Sequence, residues 1–131
     1  MKTHRHQVFI HWGDTDPAKI VFYPNYFVWM DQSTFHLFDS VGLNWNVLME
    51  RYNVPGVPIV EAKAKFLRPS EVESAITKWN EKTFEVSHTI FNKGERCVEG
   101  YEIRVWSQRR AEDPNRLKAV PIPEEIRKTF E

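Results

Sequence analysis

The sequence predicts an α+β fold: one antiparallel sheet of about five to six strands, with a single long helix laid across one face. Three features lead there. The chain opens on a strand-like segment. It then passes a turn into a long stretch whose apolar residues recur with the period of a helix. After Pro58 the period drops to two and stays there, run after run, with short polar connections between runs.

Each element has its own signal. Arg5 to Trp12 puts His6, Val8, Ile10 and Trp12 on one face and Arg5, Gln7, Phe9 and His11 on the other. Phe9 makes the second face partly apolar, so the segment reads as a strand covered on both sides. Gly13 to Lys19 is turn. Pro24 suits the first turn of a helix, where its missing N–H has no partner to lose. From there to Val41, the residues Tyr26, Trp29, Met30, Ser33, Leu37, Phe38 and Val41 form one stripe, and Gly42 stops the helix. Asn44 to Arg51 is a weaker helical turn, and Asn53 to Pro58 a loop. Ile59 to Leu67 alternates Val60, Ala62, Ala64 and Phe66 against Glu61, Lys63 and Lys65. Arg68-Pro69-Ser70 turns the chain into a strand over Val72 to Trp79, and Asn80-Glu81-Lys82 turns it back. Thr83 to Phe91 alternates Phe84, Val86, His88 and Ile90 against more polar neighbours. Asn92-Lys93-Gly94-Glu95 is a hairpin signal leading into a long strand, Arg96 to Ser107. A loop at Ala111 to Asn115 precedes a short strand near Leu117 to Val120, and Pro123 to Phe130 suits a short terminal helix.

Composition narrows the function classes. At 131 residues the chain is read as one domain, residues 1–131. Its 41% hydrophobic and 14% aromatic content argues against disorder. Eighteen Lys and Arg balance eighteen Asp and Glu, so no bulk field points to nucleic acid or to a membrane surface. The same neutrality offers little repulsion against self-association. Cys97 is the single cysteine, which precludes an intrachain disulfide and fits a reducing cytoplasm. It sits in a strand-like run with no nearby base and reads as an inert, half-buried thiol. Met1 to His6 lacks the apolar core of a signal peptide, and no apolar run reaches the roughly 20 residues that span a bilayer. His4 and His6 would share a strand face, but no Cys or carboxylate framework accompanies them, so no metal site is expected. His36 and His88 read as structural histidines.

The most informative stretch runs from Gly13 to Tyr26. Asp14 and Asp16 lie on a turn that Pro17 stiffens, ahead of the N-terminus of the long helix. That terminus carries free N–H groups and the positive end of the helix dipole. A carboxylate beside a polarised carbonyl suits acyl transfer. By residue type alone, Asp16 is equally a turn or cap residue.

A strand, a long helix and a meander of strands resembles the hot-dog fold, in which a curved sheet wraps a central helix. Gly13-Asp14-Thr15-Asp16-Pro17-Ala18, followed by Val21-Phe22-Tyr23-Pro24-Asn25-Tyr26, resembles the signature of the Pseudomonas-type 4-hydroxybenzoyl-CoA thioesterases, a branch of the hot-dog acyl-CoA thioesterases. Trp29-Met30-Asp31, Gly42-Leu43, Gly56-Val57-Pro58-Ile59-Val60, Lys82-Thr83-Phe84 and Glu102-Ile103-Arg104-Val105-Trp106 match in order. The likeness therefore covers nearly the whole chain. Pro24 before Asn25-Tyr26 separates it from the broader short-chain acyl-CoA relatives, which carry histidine-alanine-asparagine-tyrosine there.

The resemblance implies hydrolysis of an aromatic acyl-CoA, benzoyl or hydroxybenzoyl in type, with no cofactor beyond the CoA of the substrate. It makes Asp16 the nucleophile or general base, with Asp14 ordering the turn. It makes the Tyr23 backbone N–H the group that polarises the thioester carbonyl. Asp31, contributed by a partner subunit, would take a ring hydroxyl, with Trp45 near the ring. Val57 stands before Pro58 where the family has a threonine, which removes a hydroxyl from the acyl site. That departure keeps a short-chain aliphatic acyl-CoA as the alternative substrate. Lys82 and Lys118 match basic positions for the nucleotide end of CoA, and Arg116 is a neighbouring candidate. Glu81 replaces a family arginine, which motivates a non-catalytic acyl-CoA-binding module as a further alternative. The resemblance also implies a dimer at minimum, with active sites at its interface, and a tetramer of two such dimers.

Overall fold

The computed structural model describes residues 1–67 and 72–131, with residues 72 and 73 described by their backbone alone. In chain order the elements are β1 (Thr3–His6), a 3-10 turn (Trp12–Asp14), α1 (Pro24–Asp39), α2 (Trp45–Tyr52), β2 (Ile59–Phe66), β3 (Val72–Trp79), β4 (Thr83–Asn92), β5 (Glu95–Val105), β6 (Ser107–Arg109), β7 (Leu117–Ala119) and α3 (Glu124–Thr129). Strands β1 to β5 form one antiparallel sheet in the order β1-β3-β4-β5-β2, and α1 packs against it. The short strands β6 and β7 pair separately. The α+β architecture and the five-stranded antiparallel sheet are those expected, with β6 and β7 making a small sheet of their own. The turn read at Arg68-Pro69-Ser70 lies outside the described residues.

Helix α1 buries Tyr26, Trp29, Met30, Ser33, Thr34, Leu37 and Phe38, the stripe read from the sequence with Thr34 added and Val41 only half-buried. Its end is a Schellman motif: the Leu43 N–H donates to the Phe38 carbonyl at 3.0 Å and the Gly42 N–H to the Asp39 carbonyl at 2.9 Å. The geometry needs a left-handed residue, and Gly42 supplies it at φ +77°. Helix α2 follows with Asn44 as its N-cap, the side chain accepting from the Val47 N–H at 3.1 Å.

The core divides along α1. Tyr26, Trp29 and Met30 from its first half pack with Ile90, Cys97 and Val98. Leu37 and Phe38 from its second half pack with Phe84, Val86, Trp106 and residues of α2 and α3. Between the two clusters lies a buried polar seam of Ser33, Thr34, Ser74, His88, Glu102 and Arg104. Strand β4 shows why: its inward positions read Phe84, Val86, His88, Ile90, as the alternation predicts, so one polar residue enters the core between apolar ones. Fully burying one of the large apolar side chains contributes roughly 1.5–3 kcal/mol, so both halves of α1 anchor the helix.

Two expectations about strands are corrected. The first strand does not run from Arg5 to Trp12. Only Thr3 to His6 pairs, opposite Ala75 to Val72 of β3, and the chain then leaves the sheet. Asp14 Oδ2 takes the His11 N–H at 2.8 Å and starts the 3-10 turn. Phe9 is left 72% exposed and Trp12 93%, so this segment is not covered on both sides. The long strand read over Arg96 to Ser107 breaks at Trp106. That residue donates its N–H to the Lys82 carbonyl at 2.8 Å and accepts from the Val120 N–H at 3.0 Å, which hands the chain to the β6–β7 pair.

Candidate active site

The Asp16 loop is held against the start of α1 by backbone bonds. Residues 14–16 run antiparallel to residues 20–22: the Asp16 N–H donates to the Ile20 carbonyl at 2.9 Å, the Phe22 N–H to the Asp14 carbonyl at 2.8 Å, and Thr15 bridges Val21. The Asp14 carbonyl also accepts from Asn25 Nδ2 at 2.9 Å, so Asp14 ties the turn to the first turn of the helix. Asp16 is half-buried, and its Oδ1 accepts the Ala18 N–H at 2.8 Å. This Asx turn fixes the carboxylate and leaves Oδ2 without a partner among the described residues. Lys19 completes the reversal at φ +60°. Asp16 lines an open hollow of about 490 Å³ with Trp12, Gly13, Thr15, Pro17 and Lys19.

Tyr23 is the residue just before α1. The Asn25 and Tyr26 N–H groups are taken by the Phe22 and Tyr23 carbonyls, and Pro24 has none. The Tyr23 N–H donates to no acceptor among the described residues. It stands at the positive end of a 16-residue helix, where an oxyanion is stabilised. The Tyr23 side chain is mostly exposed.

Asp31, Trp45, Val57 and Pro58 come together. With Phe35, Pro55, Gly56, Arg104 and Arg109 they line a cavity of about 520 Å³. The Phe35 and Trp45 rings meet edge to face, with centroids 5.6 Å apart, and make one aromatic wall. Asp31 lies on α1 eight residues after Tyr23, roughly 12 Å along the helix. Within one chain, the Asp16 hollow and this cavity have no lining residue in common.

A family model described as the Thioesterase-like superfamily matches residues 10–130. The chain belongs to this superfamily. It is 30% identical, over 126 aligned residues and 87% of each chain, to the 4-hydroxybenzoyl-CoA thioesterase of Pseudomonas sp. strain CBS-3. The structure of that enzyme superposes with a TM-score of 0.87 at 29% identity, covering 98% of this chain and 99% of the other. An aspartate-to-asparagine mutant of 4-hydroxybenzoyl-CoA thioesterase complexed with 4-hydroxybenzoyl-CoA superposes with a TM-score of 0.81 at 28% identity, covering 99% and 98%. A gentisyl-coenzyme A thioesterase is 33% identical, with a TM-score of 0.75 and 98% of both chains covered. The fold is the hot-dog fold, and the enzyme class is thioester hydrolase.

The basic positions read from the sequence are not on the wall of the Asp31 cavity. Lys118 is on β7, Arg116 just before it, and Leu117 between them lines the cavity. Lys82 is exposed in the β3–β4 turn and is not on the cavity wall. No helix among the described residues is long and apolar enough to cross a membrane. His4 and His6 do share a face, but they stack on His36.

Sequence reasoning missed the polar seam that reaches the cavity. Arg104 donates from Nη2 to Asp31 Oδ1 at 2.7 Å, from Nη2 and Nε to Glu102 Oε2 at 2.8 and 3.0 Å, and from Nη1 to the Val57 carbonyl at 3.0 Å. Glu102 Oε2 also accepts from Thr34 Oγ1 at 2.9 Å and meets His88 Nε2 at 3.2 Å. Burial pushes the Glu102 carboxyl up. The His88 hydrogen bond and the Arg104 and His88 charges outweigh it and hold the group below the usual glutamate value. On its other side His88 Nδ1 lies 2.6 Å from Ser74 Oγ, itself 2.6 Å from Ser33 Oγ, so the seam continues through hydroxyl groups to α1. The signal was present in period two: Val98, Gly100, Glu102 and Arg104 share one face of β5 and Trp106 follows just past its end, so two charges stand between apolar residues.

Proposed function

We propose that the protein hydrolyses an aromatic acyl-CoA, with Asp16 and the Tyr23 N–H at the reacting carbonyl. The observation that supports this reading is the paired loop that holds Asp16 beside a helix start where the Tyr23 N–H has no acceptor among the described residues. The thioester oxygen accepts from Tyr23, and one such donor contributes roughly 3–4 kcal/mol to the lowering of the barrier. The Asp16 carboxylate attacks the carbonyl carbon or takes a proton from the attacking water. In both routes the C–S bond breaks, CoA leaves as the thiol, and one water becomes part of the acid product.

The acyl ring occupies the cavity beside Phe35 and Trp45, with Asp31 accepting from a ring hydroxyl. The named substrates of the relatives, 4-hydroxybenzoyl-CoA and gentisyl-CoA, support an aromatic group there. Arg116, Lys118, Lys82 and the cavity-lining Arg109 hold the CoA phosphates, an interaction that affects KM more than kcat. Because the Asp16 hollow and the ring cavity are separate within one chain, a second copy brings its cavity to the Asp16 loop of the first. The working unit is at least a dimer, and two dimers make the tetramer implied by the resemblance. Mixing tests this. Asp16→Asn protein refolded with a variant whose cavity is filled by Val57→Trp should recover turnover that neither parent has. A mixture as inactive as its parents contradicts a shared site.

A further inference from the structure

The reaction as drawn leaves Arg104 without a role. Its side chain is 5% exposed, yet its guanidinium borders the cavity. Four of its five N–H groups are engaged: Nε and one from Nη2 with Glu102, the other from Nη2 with Asp31, and one from Nη1 with the Val57 carbonyl. The fork therefore fixes two groups on the cavity wall that come from different elements, α1 and the loop before β2. The Asp31 side chain is itself 60% exposed and has no other polar partner among the described residues. A surface aspartate of that kind otherwise samples several rotamers. Glu102, buried and engaged by Thr34 and His88, locks Arg104 from beneath. An ammonium group could not replace it, because a point charge lacks the planar fork that reaches both partners.

We propose that Arg104 is a positioning residue that sets the preference of the enzyme for a hydroxyl-bearing ring. By occupying Asp31 Oδ1 it leaves Oδ2 as a fixed acceptor for a ring O–H in the slot. A carboxylate oxygen only accepts, so an unsubstituted ring or a methoxy ring gains nothing from it. This inference rests on the aroyl-CoA reading and adds the group that enforces its specificity.

The test is the ratio of kcat/KM for 4-hydroxybenzoyl-CoA to that for benzoyl-CoA, with 4-methoxybenzoyl-CoA as a size control. A ratio within each variant cancels losses of active protein. Arg104→Met alone strands the Glu102 charge, so the decisive variant is Arg104→Met with Glu102→Gln, which removes both buried charges together. The wild-type ratio should be about tenfold to a hundredfold, the scale of one hydrogen bond to a charged group. Asp31→Ala and the Arg104/Glu102 double variant should each bring it close to one, and combining them should lower it no further. Arg104→Lys, which keeps a cation beside Glu102, should regain the melting temperature lost in Arg104→Met but not the ratio. If Asp31→Ala abolishes the preference while the double variant keeps it, the inference about Arg104 is overturned and the Asp31 assignment stands. If Asp31→Ala keeps the preference, the inference is overturned although turnover of aroyl-CoA survives. Absence of turnover on every aroyl-CoA overturns the substrate reading and the inference with it.

Discussion

Asp16 joins backbone and chemistry in a single side chain. Its Oδ1 closes a turn on Ala18 while the other oxygen has no partner among the described residues. An asparagine keeps the first function, because its amide oxygen accepts the same N–H. Asp16→Asn should therefore melt within a few degrees of wild type and lose about 10²–10⁴-fold in kcat, checked by calorimetry and by thiol release. Glu102 is the contrasting residue, buried and structural. Its folded pKa lies below the ordinary glutamate value of 4.5, so its ion pairs contribute stability above about pH 4.5 that is lost as pH falls through the lower folded value. Glu102→Gln should cost about 3–5 kcal/mol at pH 7 by leaving Arg104 less compensated, and should flatten the acid limb of a urea-midpoint profile. Asp31, Trp45, Val57 and Pro58, placed on the ring side by the family resemblance and not by periodicity, do line one cavity. Arg104 was passed over as a site residue. An arginine in a strand reads as solvent-facing unless its period-two face, shared with Val98 and Glu102, is weighed.

Among the elements, α1 and the centre of the sheet fit most tightly. A Cβ on Gly100 would lie 2.6 Å from the Lys63 carbonyl oxygen and 2.7 Å from Met30 Cε. The methionine tip could move, but the backbone of the neighbouring strand cannot. Gly100→Ala should destabilise by about 1–3 kcal/mol in urea titrations without a change in the substrate ratio. Strand β1 is the weak counterpart, held on one side and carrying His6 against His36 at 4.1 Å between ring centroids. Burial, then the charges of His36 and His4, lower the His6 pKa from its ordinary 6.5. As pH falls through 6.5, the unfolded chain binds a proton that the folded chain refuses, so stability declines until the lower folded value is passed. His6→Gln should reduce the fall in melting temperature between pH 7 and 5. Element legibility follows the same division. Helix α1 and strand β4 were readable because one periodicity is strong and uninterrupted. The strand expected through Trp12 was not there, because its alternating apolar residues need a sheet neighbour beyond Val72 and have none among the described residues.

At the scale of the whole molecule, a large apolar surface is left uncovered by the single chain. Phe9, Trp12, Phe22, Tyr23, Val60, Phe66 and Leu67 are all exposed, and β2 is an edge strand. The apolar face read for β2 at Val60, Ala62, Ala64 and Phe66 is mostly open, with only Ala64 half-buried. Unpaired edges and exposed aromatics of this kind call for a partner. Sedimentation at micromolar concentration should give a dimer or larger, and Phe66→Lys should shift it toward monomer. Oligomeric state could not be read from alternation alone, because the pattern marks a face as apolar without saying whether the same chain covers it.

An aroyl-CoA thioesterase should favour aromatic over aliphatic acyl groups. Thiol release from benzoyl-, 3- and 4-hydroxybenzoyl-, phenylacetyl- and butyryl-CoA tests it most directly. On the hydroxybenzoyl thioesters kcat/KM should exceed that on butyryl-CoA by at least about tenfold, the scale of one good ring contact. Butyryl-CoA turned over as well as the aroyl thioesters, or CoA bound with no thiol released from any of them, would contradict it.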